Sequence, residues 1–143
     1  MADALRTFAS RSARLLLVAA LSLVAAGCGS DAPYEVIPIS GTVMYEDETP
    51  VPGEYVTVTF IPQVENLDSK TYPRSAQAGV DPDGTFSNAS TYEFGDGVIP
   101  GEHKVVVESV DANESPTGAV PPEYSSQEST PLTITVSPDE TTF

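Results

Sequence analysis

The chain has 143 residues, 40% of them hydrophobic, with 21 acidic and 6 basic side chains and a formal charge of −15. That length holds one domain and a little more. A nucleic-acid binder needs a basic footprint, a disulfide framework at least two cysteines and a multi-span membrane protein several long apolar runs; this sequence has an acidic excess, one Cys and a single short apolar run.

Arg6, Arg11 and Arg14 carry half of the positive charge and stand directly before the 12-residue apolar run from Leu15 to Ala26. Gly27-Cys28-Gly29-Ser30 follows. A basic start, an apolar stretch and small residues at its end form a secretory signal. The run is too short for a bilayer, which needs about 20 helical residues. A buried helix of a globular core fits less well, because the run is apolar on every side. Residues 1–27 are therefore expected to be a helical signal peptide, 28–38 a tether containing Pro33 and Pro38, and 39–143 the folded domain.

The remaining chain shows alternation broken by Pro, Gly, Asp and Asn, and no segment with helical apolar spacing. A first strand is expected over about Ile39 to Tyr45, leaving through Glu46-Asp47-Glu48 and turning at Pro50-Val51-Pro52-Gly53. The second, about Glu54 to Ile61, places Val56, Val58 and Phe60 on one face and Tyr55, Thr57 and Thr59 on the other. Pro62 ends it, and a polar loop runs to Pro73. The third strand, about Ser75 to Asp81, meets Asp81-Pro82-Asp83-Gly84, a tight-turn signal. Thr85-Phe86-Ser87 returns as a fourth strand in a hairpin. After a loop over 91–101, His103 to Val110 has Val on both faces, which predicts a central strand. A long connection over 111–131 leads to Leu132-Thr133-Ile134-Thr135-Val136, with Leu132, Ile134 and Val136 inward. Six or seven short antiparallel strands in about 100 residues imply an all-β fold, a β-sandwich of immunoglobulin-like or transthyretin-like type.

Two resemblances follow from these residues. Val24-Ala25-Ala26-Gly27-Cys28 resembles the lipobox of bacterial lipoproteins, with Ala25 where Leu is commoner. The resemblance implies lipidation of Cys28 on sulfur and cleavage before it; the alternative is an ordinary signal peptide with an incidental Cys. Cleavage there would leave 116 residues with three basic and 20 acidic side chains, a net charge of −17 that opposes anionic lipid and nucleic acid. Ser40-Gly41-Thr42-Val43, Val51-Pro52-Gly53, Val56 to Phe60, Ala78 to Phe86, Gly95-Asp96-Gly97-Val98, Pro100 to Val107, Val120-Pro121 with Tyr124, and Leu132 to Val136 come in an order similar to small lipoproteins of planctomycete-type bacteria. These carry a carboxypeptidase-regulatory-like, transthyretin-like domain. The resemblance implies a non-catalytic β-sandwich.

The candidate chemistry is thin. His103 is the single histidine, with no mature thiol beside it and no His-Glu-x-x-His motif, so it reads as a half-buried strand residue. Asp81 and Asp83 beside one turn, and Glu93 and Asp96 in another loop, are the acids that could meet around calcium. Asp also serves such turns by accepting backbone N–H groups, so no metal is assigned. Tyr45, Tyr55, Tyr72, Tyr92 and Tyr124 would form a sugar- or peptide-stacking surface if gathered on one face. The expected function is a lipid-anchored, extracytoplasmic β-sandwich of the bacterial cell envelope, without catalytic residues, cofactor or nucleic-acid partner. It holds the membrane through Cys28 and serves a structural or binding role. A carbohydrate- or calcium-dependent adhesion module, and an accessory subunit of an envelope complex, are the alternatives.

Overall fold

The computed structural model describes residues 32–143. The expected signal peptide and Cys28 lie outside the described residues. The described chain is all-β: β1 (Gly41–Thr42), β2 (Tyr55–Pro62), β3 (Ala76–Val80), β4 (Thr85–Phe86), β5 (Gly101–Val110) and β6 (Thr133–Val136), with one short 3-10 turn at Pro122–Tyr124. The strands form one antiparallel sheet in the order β1-β4-β3-β2-β5-β6. It curls into a half-barrel with the core inside the curl.

β2 and β5 are the long strands, and they pair over their whole shared length, with Val58 opposite Val107 and Phe60 opposite Val105. Alternation sends Val56, Val58 and Phe60 to the core while Thr57 and Thr59 stay half-buried on the other side. β5 is interior to the sheet, as its sequence predicts, and Val106 is buried along with Val105 and Val107. The curl brings Phe86 of β4 onto Phe60 of β2, ring centroids 5.5 Å apart in a tilted arrangement, although β3 lies between their strands.

The expected hairpin forms. The Asp81 N–H donates to the Thr85 carbonyl and the Gly84 N–H to the Asp81 carbonyl, at 2.7 and 2.8 Å, with Gly84 at φ +86°. This is a three-residue connection closed by a left-handed glycine.

The first strand is shorter than expected. β1 spans Gly41–Thr42 because its partner β4 is itself two residues long, ended by the Gly84 turn and by Asn88 at φ +55°. Beyond it, Val43 still donates to the Gly84 carbonyl. Met44 and Tyr45 then turn back on Pro50 and Thr49. The other side of β1 is covered by the C-terminal residues: Ser40 donates to Thr141, Thr42 to Phe143, and Phe143 back to Ser40. Gly41 is required there, since any Cβ would run into the Phe143 carbonyl oxygen. A turn at Ser137–Glu140 links β6 to this segment, so the two edges of the sheet are drawn toward each other within a few residues of chain.

Two other expectations are revised. Within the span assigned to the tether, Tyr34 is buried and Ile37 pairs with Val98, so this stretch already packs on the domain. Gly97, at φ +115°, admits this pairing because a Cβ would strike the Ile37 carbonyl. Leu132 is not inward: it lies just outside β6 and is 39% exposed, while Ile134 is half-buried and Val136 buried.

Candidate functional site

His103 sits on β5 between Pro62 of β2 and Ile134 of β6. It is fully buried rather than half-buried, because it shares the core-facing side of β5 with Val105 and Val107. Nδ1 lies 3.0 Å from the Gly101 carbonyl, to which it donates as a neutral ring, and Nε2 has no partner. Burial lowers its pKa, outweighing the opposite pull of the Gly101 carbonyl, so the ring is uncharged at neutral pH.

The acidic loops serve themselves. Asp83 Oδ1 accepts the Thr85 N–H and hydroxyl, at 2.9 and 2.7 Å. These two bonds, the hydroxyl first, hold its carboxyl below the ordinary range. Asp96 accepts the N–H groups of Thr91, Tyr92 and Glu93 at 2.7, 2.9 and 3.0 Å. Partial burial works to raise its pKa, but those three donors prevail and lower it. Among the described residues no group of three or more His, Cys, Asp or Glu side chains gathers in metal-binding fashion.

The five tyrosines do not share a face. Tyr72 turns its hydroxyl onto Ser69 in its own loop, and Tyr55 is exposed at the start of β2. Tyr92 lies beneath the Arg74 guanidinium, 5.5 Å from ring centroid to carbon, and its hydroxyl is buried without a partner. Burial pushes that phenol up. Tyr45 and Tyr124 alone come together, on the wall of one cleft.

That cleft is one of several hollows in the surface. Val43, Met44, Tyr45, Tyr124 and Leu132 line about 280 Å³ together with Val107 and Val120. A second hollow of about 270 Å³ shares Val43, Met44, Val107 and Leu132 with it and continues along Ile134 to Phe60. The two follow the seam of the half-barrel, where the chain beyond β1 faces the start of β6 and the core is reached from outside. The Tyr45 hydroxyl donates to the Ala119 carbonyl at 2.6 Å and braces this wall. Glu46 also lines the cleft, followed in sequence by Asp47 and Glu48.

Sequence reasoning missed the cleft because it depends on where two strands fail to meet. Alternation placed Leu132 in the core, and Met44 had no partner at all. Comparison with protein families, with curated proteins and with solved structures gave no match.

Proposed function

We propose that the protein is a lipid-anchored, extracytoplasmic β-domain of the bacterial cell envelope, with a binding or structural role and no catalysis. The observation that carries this reading is the run Val24-Ala25-Ala26-Gly27-Cys28 behind an Arg-bearing start and an apolar stretch. A thiol after small residues is what S-acylation and cleavage before Cys28 require. Two or more acyl chains then anchor stably, each buried CH₂ contributing about 0.8 kcal/mol. The body suits that setting: the described residues carry 19 acidic and 3 basic side chains, which keeps it soluble and off anionic surfaces.

The finer fold belongs to the same proposal. The half-barrel is a transthyretin-like sandwich, its two layers being the β1-β4-β3 and β2-β5-β6 portions of the curled sheet. The Phe60–Phe86 contact and the C-terminal segment on β1 support that reading.

Mass spectrometry of the protein from a membrane fraction tests the anchor. The expected product begins at Cys28 and carries acyl mass, and Cys28→Ala moves the protein to the soluble fraction. An intact, unmodified thiol overturns the proposal.

A further inference from the structure

β6 is an open edge. The Val105 N–H donates to the Leu132 carbonyl at 2.9 Å, so residues 105 and 132 form a hydrogen-bonded pair. Antiparallel pairs alternate. His103–Ile134 and Gly101–Val136 are therefore the next bonded pairs, and Lys104–Thr133 and Glu102–Thr135 the non-bonded ones. Thr133 and Thr135 direct their N–H and C=O groups away from β5. On that side β6 is last in the sheet, and no described strand or bridge pairs with these two residues. Both threonines are exposed.

Three features coincide along this edge. Backbone donors and acceptors recur at the two-residue spacing of a strand. The apolar hollow beside Leu132 and Ile134 is lined also by Val43 and Met44. Acidic groups stand beside it: Glu46 lines the adjoining cleft, and the exposed Glu102 of β5 lies opposite Thr135. Of the basic groups among the described residues, Lys104 stands opposite Thr133 on β5 with its Nζ bound to the Gln127 carbonyl at 2.8 Å, while Arg74 lies over Tyr92 and Lys70 is in the loop after β2.

We propose that the seam is a binding site for an extended segment of a partner protein, basic and apolar in alternation, which adds to β6 as a seventh strand. Its backbone pairs with Thr133 and Thr135. Every second side chain is apolar and enters the hollow between Ile134 and Met44, covering Met44 and Leu132, which are 40% and 39% exposed. The intervening side chains are Lys or Arg and lie on the opposite face, where Glu102 stands beside Thr135. A second copy of this chain is a poor occupant, because each copy brings 19 acidic against 3 basic described residues to the contact.

Full-length, isotope-labelled protein is titrated at low salt with three blocked peptides: alternating Lys-Val, alternating Glu-Val and alternating Lys-Ser. Amide resonances and affinity are followed. Lys-Val is expected to bind, to shift Thr133, Thr135, Val43 and Met44, and to weaken as salt rises. Glu-Val and Lys-Ser are expected to bind at least tenfold more weakly. Thr135→Pro removes an outward N–H that β5 does not use, so the fold is retained while Lys-Val affinity falls at least tenfold. Leu132→Glu, at an exposed position, is expected to weaken binding similarly. Lys-Ser binding as well as Lys-Val, or Thr135→Pro leaving affinity unchanged, reduces the interaction to bulk charge attraction and overturns the proposal. Concentration-dependent shifts of the same residues without peptide make a second copy the occupant and overturn it too.

Discussion

The Thr130 hydroxyl donates to the Val105 carbonyl at 2.6 Å and accepts the Leu132 N–H at 3.2 Å. It occupies the place of a ladder bond. In a regular antiparallel pair Leu132 would donate directly to Val105, whose own N–H does reach the Leu132 carbonyl. Thr130 is buried, so this one side chain both joins β6 to β5 and satisfies a carbonyl away from water.

Thr130→Val keeps the shape and deletes the bridge, leaving a buried carbonyl and an N–H unpaired. The expected loss of stability is about 1–3 kcal/mol. Denaturant titration of the two proteins gives the difference, and amide exchange locates it: Leu132 and Thr133 open before β2 does.

Stability is expected to fall on mild acidification, through His103. Its folded pKa is lowered by burial, relative to a reference of 6.5. The unfolded chain therefore binds the proton more readily than the folded one. The contribution is fully present above pH 6.5 and is lost as pH falls from there toward the folded value, at up to about 1.4 kcal/mol per pH unit. Melting curves from pH 8 to pH 5 show this slope in the native protein. His103→Leu removes the part due to the ring.

Tyr34 pins the loop after β2. Its hydroxyl lies 3.3 and 3.2 Å from the carbonyls of Glu65 and Thr71 and accepts the Leu67 N–H at 3.0 Å. Tyr34→Phe keeps the buried ring and releases the loop. The expected result is faster exchange at the Leu67 amide with a global loss of about 1 kcal/mol, while β5 amides exchange as before relative to the global opening.

Glu114 holds φ +60° in the turn after β5, and its N–H donates to the Asp111 carbonyl at 3.0 Å. The Asp111 carboxylate binds Asn113 and Ser115 N–H in the same turn. A side chain in the left-handed region costs about 1–2 kcal/mol, which glycine avoids. Glu114→Gly gives part of this back as stability, reduced by the freedom glycine adds to the unfolded chain. Thermal melting is expected to rise slightly; a fall would show that the Glu side chain holds something else in place.

The strand centres were legible because alternation is local. Val56, Val58 and Phe60 against Thr57 and Thr59 requires no knowledge of neighbours, and neither does Asp81-Pro82-Asp83-Gly84, whose residues carry their own turn chemistry. β5 was legible as central from Val106 beside Val105 and Val107. The ends were not. β1 stops at Thr42 because β4 is short, and the pairing of Ile37 with Val98 is set by a backbone approach that Gly97 permits from 60 residues away in sequence. Leu132 obeys the alternation of its strand and lines the cleft with Val43 and Met44, yet stays partly exposed, since alternation fixes the face of a side chain and not whether another segment covers it.

By itself, then, the amino-acid order determined the strand rhythm, the hairpin, the acidic surface and the lipobox-like run at Cys28, all properties of adjacent residues. Tertiary structure alone decided that His103 is sealed in, that Asp83 and Asp96 spend their carboxylates on their own loops, and that Tyr45, Tyr124, Met44 and Leu132 share a cleft. Those outcomes depend on which distant segments the curl of the sheet brings together and which it holds apart. Such distances arise only when long-range pairing closes the chain on itself.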